Sequence, residues 1–195
     1  MLTIKQRQNY LKNLGYYTGK IDGKEGALLK EAYKKLQEDY FVREKDIDGI
    51  YGKNTDILLQ NAYNVTRLAP NFKLEEFKCG CGGKHCTGYP GLLSTQLLKN
   101  VQRVRTKFGA TTITSGMRCK GHNDATPGSS KTSRHMPNAA SVCKALDIYN
   151  QKTRTEAGRR VVMNFWKLCP GWNYTYCNIK GNYPNMGNAV HIDVK

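Results

Sequence analysis

"SRHMPNAASVCKALDIY", residues 133–149, sets one histidine and one aspartate on either side of a short mixed stretch. Its last part, "ALDIY", reads as an apolar strand with a carboxylate at its centre, a costly place for a charge without a partner or a metal. The chain closes on "AVHIDVK" (189–195), where His191 holds a comparable position and Asp193 follows two residues on. "ATTITSGMR" and "NYTYCNI" alternate in the same way, whereas Leu93, Leu97, Leu98, Val101 and Val104 recur at helical spacing. "TEAGRRVVMNFWKL" reads as a further helix. Helices and strands in this order predict an α+β unit with a mainly antiparallel sheet and flanking helices. By residue type alone, this part of the chain offers His122, His135 and His191 with Glu75, Glu76, Asp124, Asp147, Glu156 and Asp193, and the strand residues Asp147 and His191 fit either part of a metal site or an ordinary satisfied His–Asp pair.

Upstream, the pattern changes to short helices joined by glycine turns. Thr3 and Gln6 form a capping box ahead of Ile4, Leu11 and Leu14. A second helix over about 25–40 is expected to bury Leu28, Leu29, Ala32, Tyr33 and Leu36, and a third to start at Asn54 and run through Ile57, Leu58 and Ala62. "GKIDGKEGALLKEAY" and "KDIDGIYGKNTDILL" repeat the frame Ile-Asp-Gly-x-x-Gly before a helix, with the aspartate able to bond nearby amides. "NVTRLAPN" (64–71) lacks periodicity and reads as the seam, giving a small three-helix domain over 1–66 and a second domain over 67–195.

The charge of +16 is unevenly shared: residues 1–66 hold 11 Lys+Arg against 9 Asp+Glu, and residues 67–195 hold 20 against 6. A net +14 on the second segment draws a polyanion, either nucleic acid or a phosphate-rich wall polymer. No nucleic-acid-binding motif accompanies it, so a solvated or wall-facing surface is expected. No stretch has the length of a membrane span. Seven cysteines, an odd number, argue against a full disulfide framework. Cys79, Cys81, Cys86 and His85 cluster in "CGCGGKHC", and Cys119 would complete four soft ligands. Cys-x-Cys is not the common Cys-x-x-Cys knuckle, and free thiols in a tight glycine loop are the expectation.

"QRQNYLKNLGYYTGKIDG" followed by "DGIYGKNTDILL" closely resembles the peptidoglycan-binding domain found at the ends of many cell-wall hydrolases, over about residues 3–63. "NFKLEEFKC", "TITSGMRCKGHN", "SRH", "KALDI" and "VHIDV" fall in the order of the zinc D-alanyl-D-alanine carboxypeptidase family, which also includes phage endolysin endopeptidases. The resemblance implies Zn2+ held by His135, Asp147 and His191, with Arg118 stabilising developing negative charge and Ser133 holding substrate. It implies an endolysin-type peptidoglycan peptidase, monomeric, that takes no nucleic acid and does not insert into membrane. Its scissile bond is L-alanyl-D-glutamate or D-alanyl-D-alanine. The N-terminal "MLTIKQRQNYLKNLG" has no apolar signal core, so synthesis in the host cytoplasm and action at the wall after release are expected.

Three departures from the family pattern stand out. The aspartate follows the first histidine by twelve residues rather than seven, Cys143 occupying the usual glycine position, which reads as a five-residue loop insertion. Met117 replaces a tyrosine, which reads as a substrate-side change. Asn188 fills the place of an acid three residues before the last histidine, which leaves Asp193 as the expected base or base-assisting group. The alternative reading is a non-catalytic wall-binding protein with a degenerate site.

Overall fold

The computed structural model describes residues 1–195. Helix α1 (Ile4–Asn13) starts at the Thr3–Gln6 capping box as expected. Helix α2 spans Ala27–Tyr40 and α3 spans Lys53–Leu68. Two details differ from expectation. Leu28 is 56% exposed, because the buried stripe of α2 runs through Leu29, Ala32, Tyr33, Leu36 and Gln37. Asn54 lies inside α3, whose cap is the extended Gly52.

The two Ile-Asp-Gly turns are locked in the same way. Gln8 of α1 donates to Asp22 Oδ1 at 2.8 Å and accepts from the Gly23 amide at 2.8 Å. Gln37 of α2 donates to Asp48 Oδ1 at 2.9 Å and accepts from the Gly49 amide at 2.7 Å. Each aspartate also accepts from the amide two residues on, Lys24 or Ile50. Both glutamines are buried, so each turn is stitched to a helix by a fully satisfied amide.

Helix α3 does not stop at the expected seam. Val65 stays buried and the helix runs to Leu68, two residues before Pro70. It packs on α1 and α2 on one side and on β1 (Leu92–Leu93) and α4 (Thr95–Phe108) on the other. One core of 34 buried residues runs from Leu11 to Val194. Asn61 of α3 clips the two parts together, donating to the Gly91 carbonyl at 2.9 Å and accepting from the Leu93 amide at 2.8 Å. No helix is long and apolar enough to cross a membrane.

The second part is the α+β unit expected. Strands β2 (Thr111–Ser115), β4 (Ala145–Asn150), β5 (Trp172–Cys177) and β6 (Val190–Val194) form an antiparallel sheet in the order β2-β4-β6-β5. Period-2 alternation sends Leu146, Ile148, Val190, Ile192 and Val194 into the core, where α4 and the helix Glu156–Lys167 lie. The opposite face carries Asp147, Tyr149, Tyr174, Tyr176, His191 and Asp193, which all line one cleft.

The stretch read as a five-residue insertion makes its own turn. Asn138 Oδ1 accepts from the Ala140 amide at 2.9 Å and the Val142 amide at 3.0 Å, with Ser141 left-handed at φ 58°. The chain then enters β3 (Val142–Cys143), which pairs in parallel with β1. These residues thus lead into a small second sheet ahead of β4.

Candidate metal centre and active-site cleft

Strand register assembles the site. Asp147 of β4 stands directly opposite His191 of β6, which stands opposite Tyr176 of β5. Ser115 of β2 completes the row on the other side of Asp147. His135 arrives from the turn before the insertion. Its carbonyl accepts from the Arg118 amide at 2.9 Å, and its Nδ1 donates to the Gly116 carbonyl at 2.7 Å. That bond leaves Nε2 as the ring's free nitrogen. Gly116 is needed here because a Cβ would stand 2.4 Å from the Phe77 carbonyl oxygen.

The three expected ligands converge. His135 Nε2 lies 3.4 Å from Asp147 Oδ1 and 3.4 Å from His191 Nδ1. His191 Nδ1 lies 2.8 Å from Asp147 Oδ1. Both histidines are buried, and the Asp147 side chain is 13% exposed at the cleft floor. Two imidazoles and a carboxylate are a zinc donor set. A tetrahedron with ligand distances of about 2.0–2.1 Å has edges of roughly 3.4 Å. Two of the three separations match that edge, and the third is a hydrogen bond that a cation would replace. The residues fit the ion.

The electrostatics agree. Burial disfavours the Asp147 carboxylate, yet its contacts with the His135 and His191 imidazoles outweigh it and hold its pKa well below the usual carboxylate range. Burial lowers His135 and favours its neutral form. Burial also opposes the His191 imidazolium, but the bonds and charges of Asp147 and Asp193 win and raise its pKa.

Asp193 takes a different place from the one expected of a base. Its Oδ2 lies 3.6 Å from His191 Nε2, the nitrogen turned away from Asp147. Its Oδ1 accepts from the Tyr174 amide at 2.7 Å and from Asn173 Nδ2 at 2.8 Å, and Arg134 Nε approaches Oδ2 at 3.5 Å. A buried carboxylate so engaged orients an imidazole; it has little capacity left to take a proton.

Arg118 and Ser133 line the same cleft, a cavity of about 1110 Å³. The Arg118 Nε is buried without a hydrogen-bond partner. Met117, read from the sequence as substrate-facing, is instead wholly buried in the core, its amide bonded to the Phe77 carbonyl at 2.9 Å. Asn188 is committed elsewhere, its Oδ1 accepting from Arg159 at 2.9 Å. The sequence reading missed Tyr176, whose ring stacks on His191 at 4.6 Å and 26°. It also missed Arg134 and Asn173 as partners of Asp193; only strand register brings these residues together.

The thiols expected to be free are free of disulfides, yet Cys79, Cys81, Cys86 and Cys119 gather in one place. They lie outside the cleft.

Neither the curated proteins nor the solved structures searched gave a match. The family model for a peptidoglycan binding domain matches residues 3–55. That for peptidase M15 matches residues 70–169, which takes in Arg118, His135 and Asp147 and ends before β6. His191 therefore joins the set through the geometry of the sheet, and with it in place the chain, a peptidoglycan-binding domain followed by a peptidase domain, belongs to the peptidase M15 family.

Proposed function

We propose that this protein is a zinc-dependent, endolysin-type peptidase that hydrolyses a peptide bond in the stem peptide of peptidoglycan, anchored by its N-terminal module. One observation carries the reading: His135, Asp147 and His191 converge on the floor of an open cleft in a chain that also bears a peptidoglycan-binding domain. Zinc held by these residues would supply Lewis-acid polarisation of the scissile carbonyl and activation of water.

The chain's own groups do the rest. Gly116 and Asp147 hold His135, and Asp193 holds the far nitrogen of His191, so both rings are fixed before substrate arrives. Arg118, with an unpaired buried N–H, is suited to the oxygen that gains charge as the carbonyl carbon becomes tetrahedral. Ser133 offers a hydroxyl to the substrate backbone beside it. Tyr174, Tyr176 and Tyr183 line up along one lip with tilted rings, centroids 5.6 and 4.7 Å apart, and give the peptide an aromatic wall.

The only carboxylates lining the cleft are Asp147 and Asp193, both engaged, whereas Arg118 and Arg134 are cationic. An anionic stem peptide suits such a cleft, and an endolysin must open cross-linked wall, which favours the bond between L-alanine and D-glutamate. The same lack of an uncommitted carboxylate is the one observation on the side of a non-catalytic wall binder. Mass spectrometry of wall digested by the zinc-loaded chain separates them. Peptides with a newly freed D-glutamate amine are expected. Loss of terminal D-alanine alone would move the assignment to a carboxypeptidase, and no zinc-dependent product would leave a binding protein.

A further inference from the structure

We propose that Cys79, Cys81, Cys86 and Cys119 form a second metal site, a structural tetrathiolate centre for zinc, separate from the cleft. The four sulfurs all lie within 4.8 Å of one another. Cys79 and Cys119 are 3.7 Å apart, and Cys81 and Cys86 are 3.6 Å apart. Zinc–sulfur bonds of about 2.3 Å define a tetrahedron with an edge of roughly 3.8 Å. Both separations fall close to that edge. Two disulfides would instead draw the sulfurs into pairs at about 2.05 Å. Four soft donors, two of their separations at the tetrahedral edge and all within 4.8 Å, suit zinc rather than a harder ion.

The surroundings are those of metal-bound thiolates. The Cys119 amide points at Cys79 Sγ at 3.3 Å, and the His122 amide at Cys119 Sγ at 3.4 Å. His122 Nδ1 lies 3.4 Å from Cys79 Sγ. Such donors spread the negative charge of a sulfur cluster. Two glycines admit imidazoles against the knot: a Cβ on Gly80 would stand 2.9 Å from His122, and one on Gly121 would stand 2.6 Å from His85.

The loop also lacks any other means of holding itself. Residues 79–90 contain no helix or strand, and Cys79, Cys81 and Cys119 form a small cluster of their own, apart from the main core. A segment that buries thiols without an apolar core of its own needs a staple. What it staples is consequential. The Thr87 carbonyl accepts from the Val42 amide of the wall module at 3.2 Å, and Gly83 packs on Val42 and Arg43. At the other end, Cys119 directly follows Arg118. The centre thus ties the wall module and the arginine of the cleft to one point.

Cobalt substitution of the full chain tests this without relying on activity. Only thiolate ligation gives a strong sulfur-to-cobalt charge-transfer band, and His135, Asp147 and His191 supply no sulfur. The expected result is two metal equivalents per chain and a charge-transfer band. Cys79→Ser and Cys119→Ser should each lose the band and one equivalent while keeping the other. His135→Ala should keep the band and lose the other equivalent. Absence of the band in the wild-type chain overturns the proposal, as does a wild-type mass showing two disulfides. Neither result depends on the cleft being active.

Discussion

Asp193 approaches His191 at Nε2, 3.6 Å away, while Asp147 holds Nδ1 of the same ring at 2.8 Å. One imidazole is thus gripped by a carboxylate on each side. Asp193→Asn removes the charge and keeps the size. Zinc affinity should fall about 10–100-fold, the usual cost of losing such an orienting partner, as read by competition with a chromogenic chelator. Unchanged affinity with a rate loss of about 10²–10⁴ would restore a proton-accepting role.

Arg118 is expected to act on the reaction alone. Arg118→Met should lower kcat by about 10²–10³, the scale of one lost oxyanion donor, with zinc content and KM little changed. Metal analysis together with steady-state rates on soluble muropeptide checks both halves of the statement.

Zinc binding should weaken in acid. In the metal-free protein the raised pKa of His191 favours its protonated form, and that stabilisation is lost as pH rises through the raised value. The ion needs the neutral ring, so it must displace this proton below that pH. His135 is kept neutral by burial, and Asp147 stays ionised. Affinity should therefore be flat above the His191 pKa and fall about tenfold per pH unit below it, one proton being released. Calorimetric titrations in buffers of different ionisation enthalpy count that proton. His191→Ala should abolish the dependence along with tight binding.

Gln37 serves five partners from a buried position: Asp48 Oδ1, the Ile50 carbonyl and Thr55 Oγ1 as donor, and the Asp48 and Gly49 amides as acceptor. Gln37→Leu strands several of them and should destabilise the chain by about 3 kcal/mol. Urea unfolding measures it. Lys35, exposed on the same helix, provides a control expected within about 0.5 kcal/mol of wild type on replacement by alanine.

Much of this architecture is legible in the residues. The alternation in "ALDIY" and "AVHIDV" announces strands, and the family resemblance marks His135, Asp147 and His191. What sequence does not carry is register: nothing local says that position 147 faces 191, or that Asp193 meets the outer nitrogen and not the inner one. Met117 shows a related limit. A position aligned with a substrate-facing residue is buried because the Gly116–Met117 backbone runs against Phe77. Gln8 and Gln37 look like breaks in an apolar stripe. Their meaning appears only when the two Asp-Gly turns fold back onto them.

The continuous core through α3, with its Asn61 clip, has a mechanical consequence on the proposed reading. An enzyme on a flexible tether sweeps a volume around its anchor and cuts repeatedly from one foothold. Here foothold and blade are a single casting, so each docking event presents the cleft to one fixed offset on the wall lattice. Progress across the wall then requires letting go. Tighter anchoring would slow the protein, and the best variant would be the one that releases as fast as it cuts.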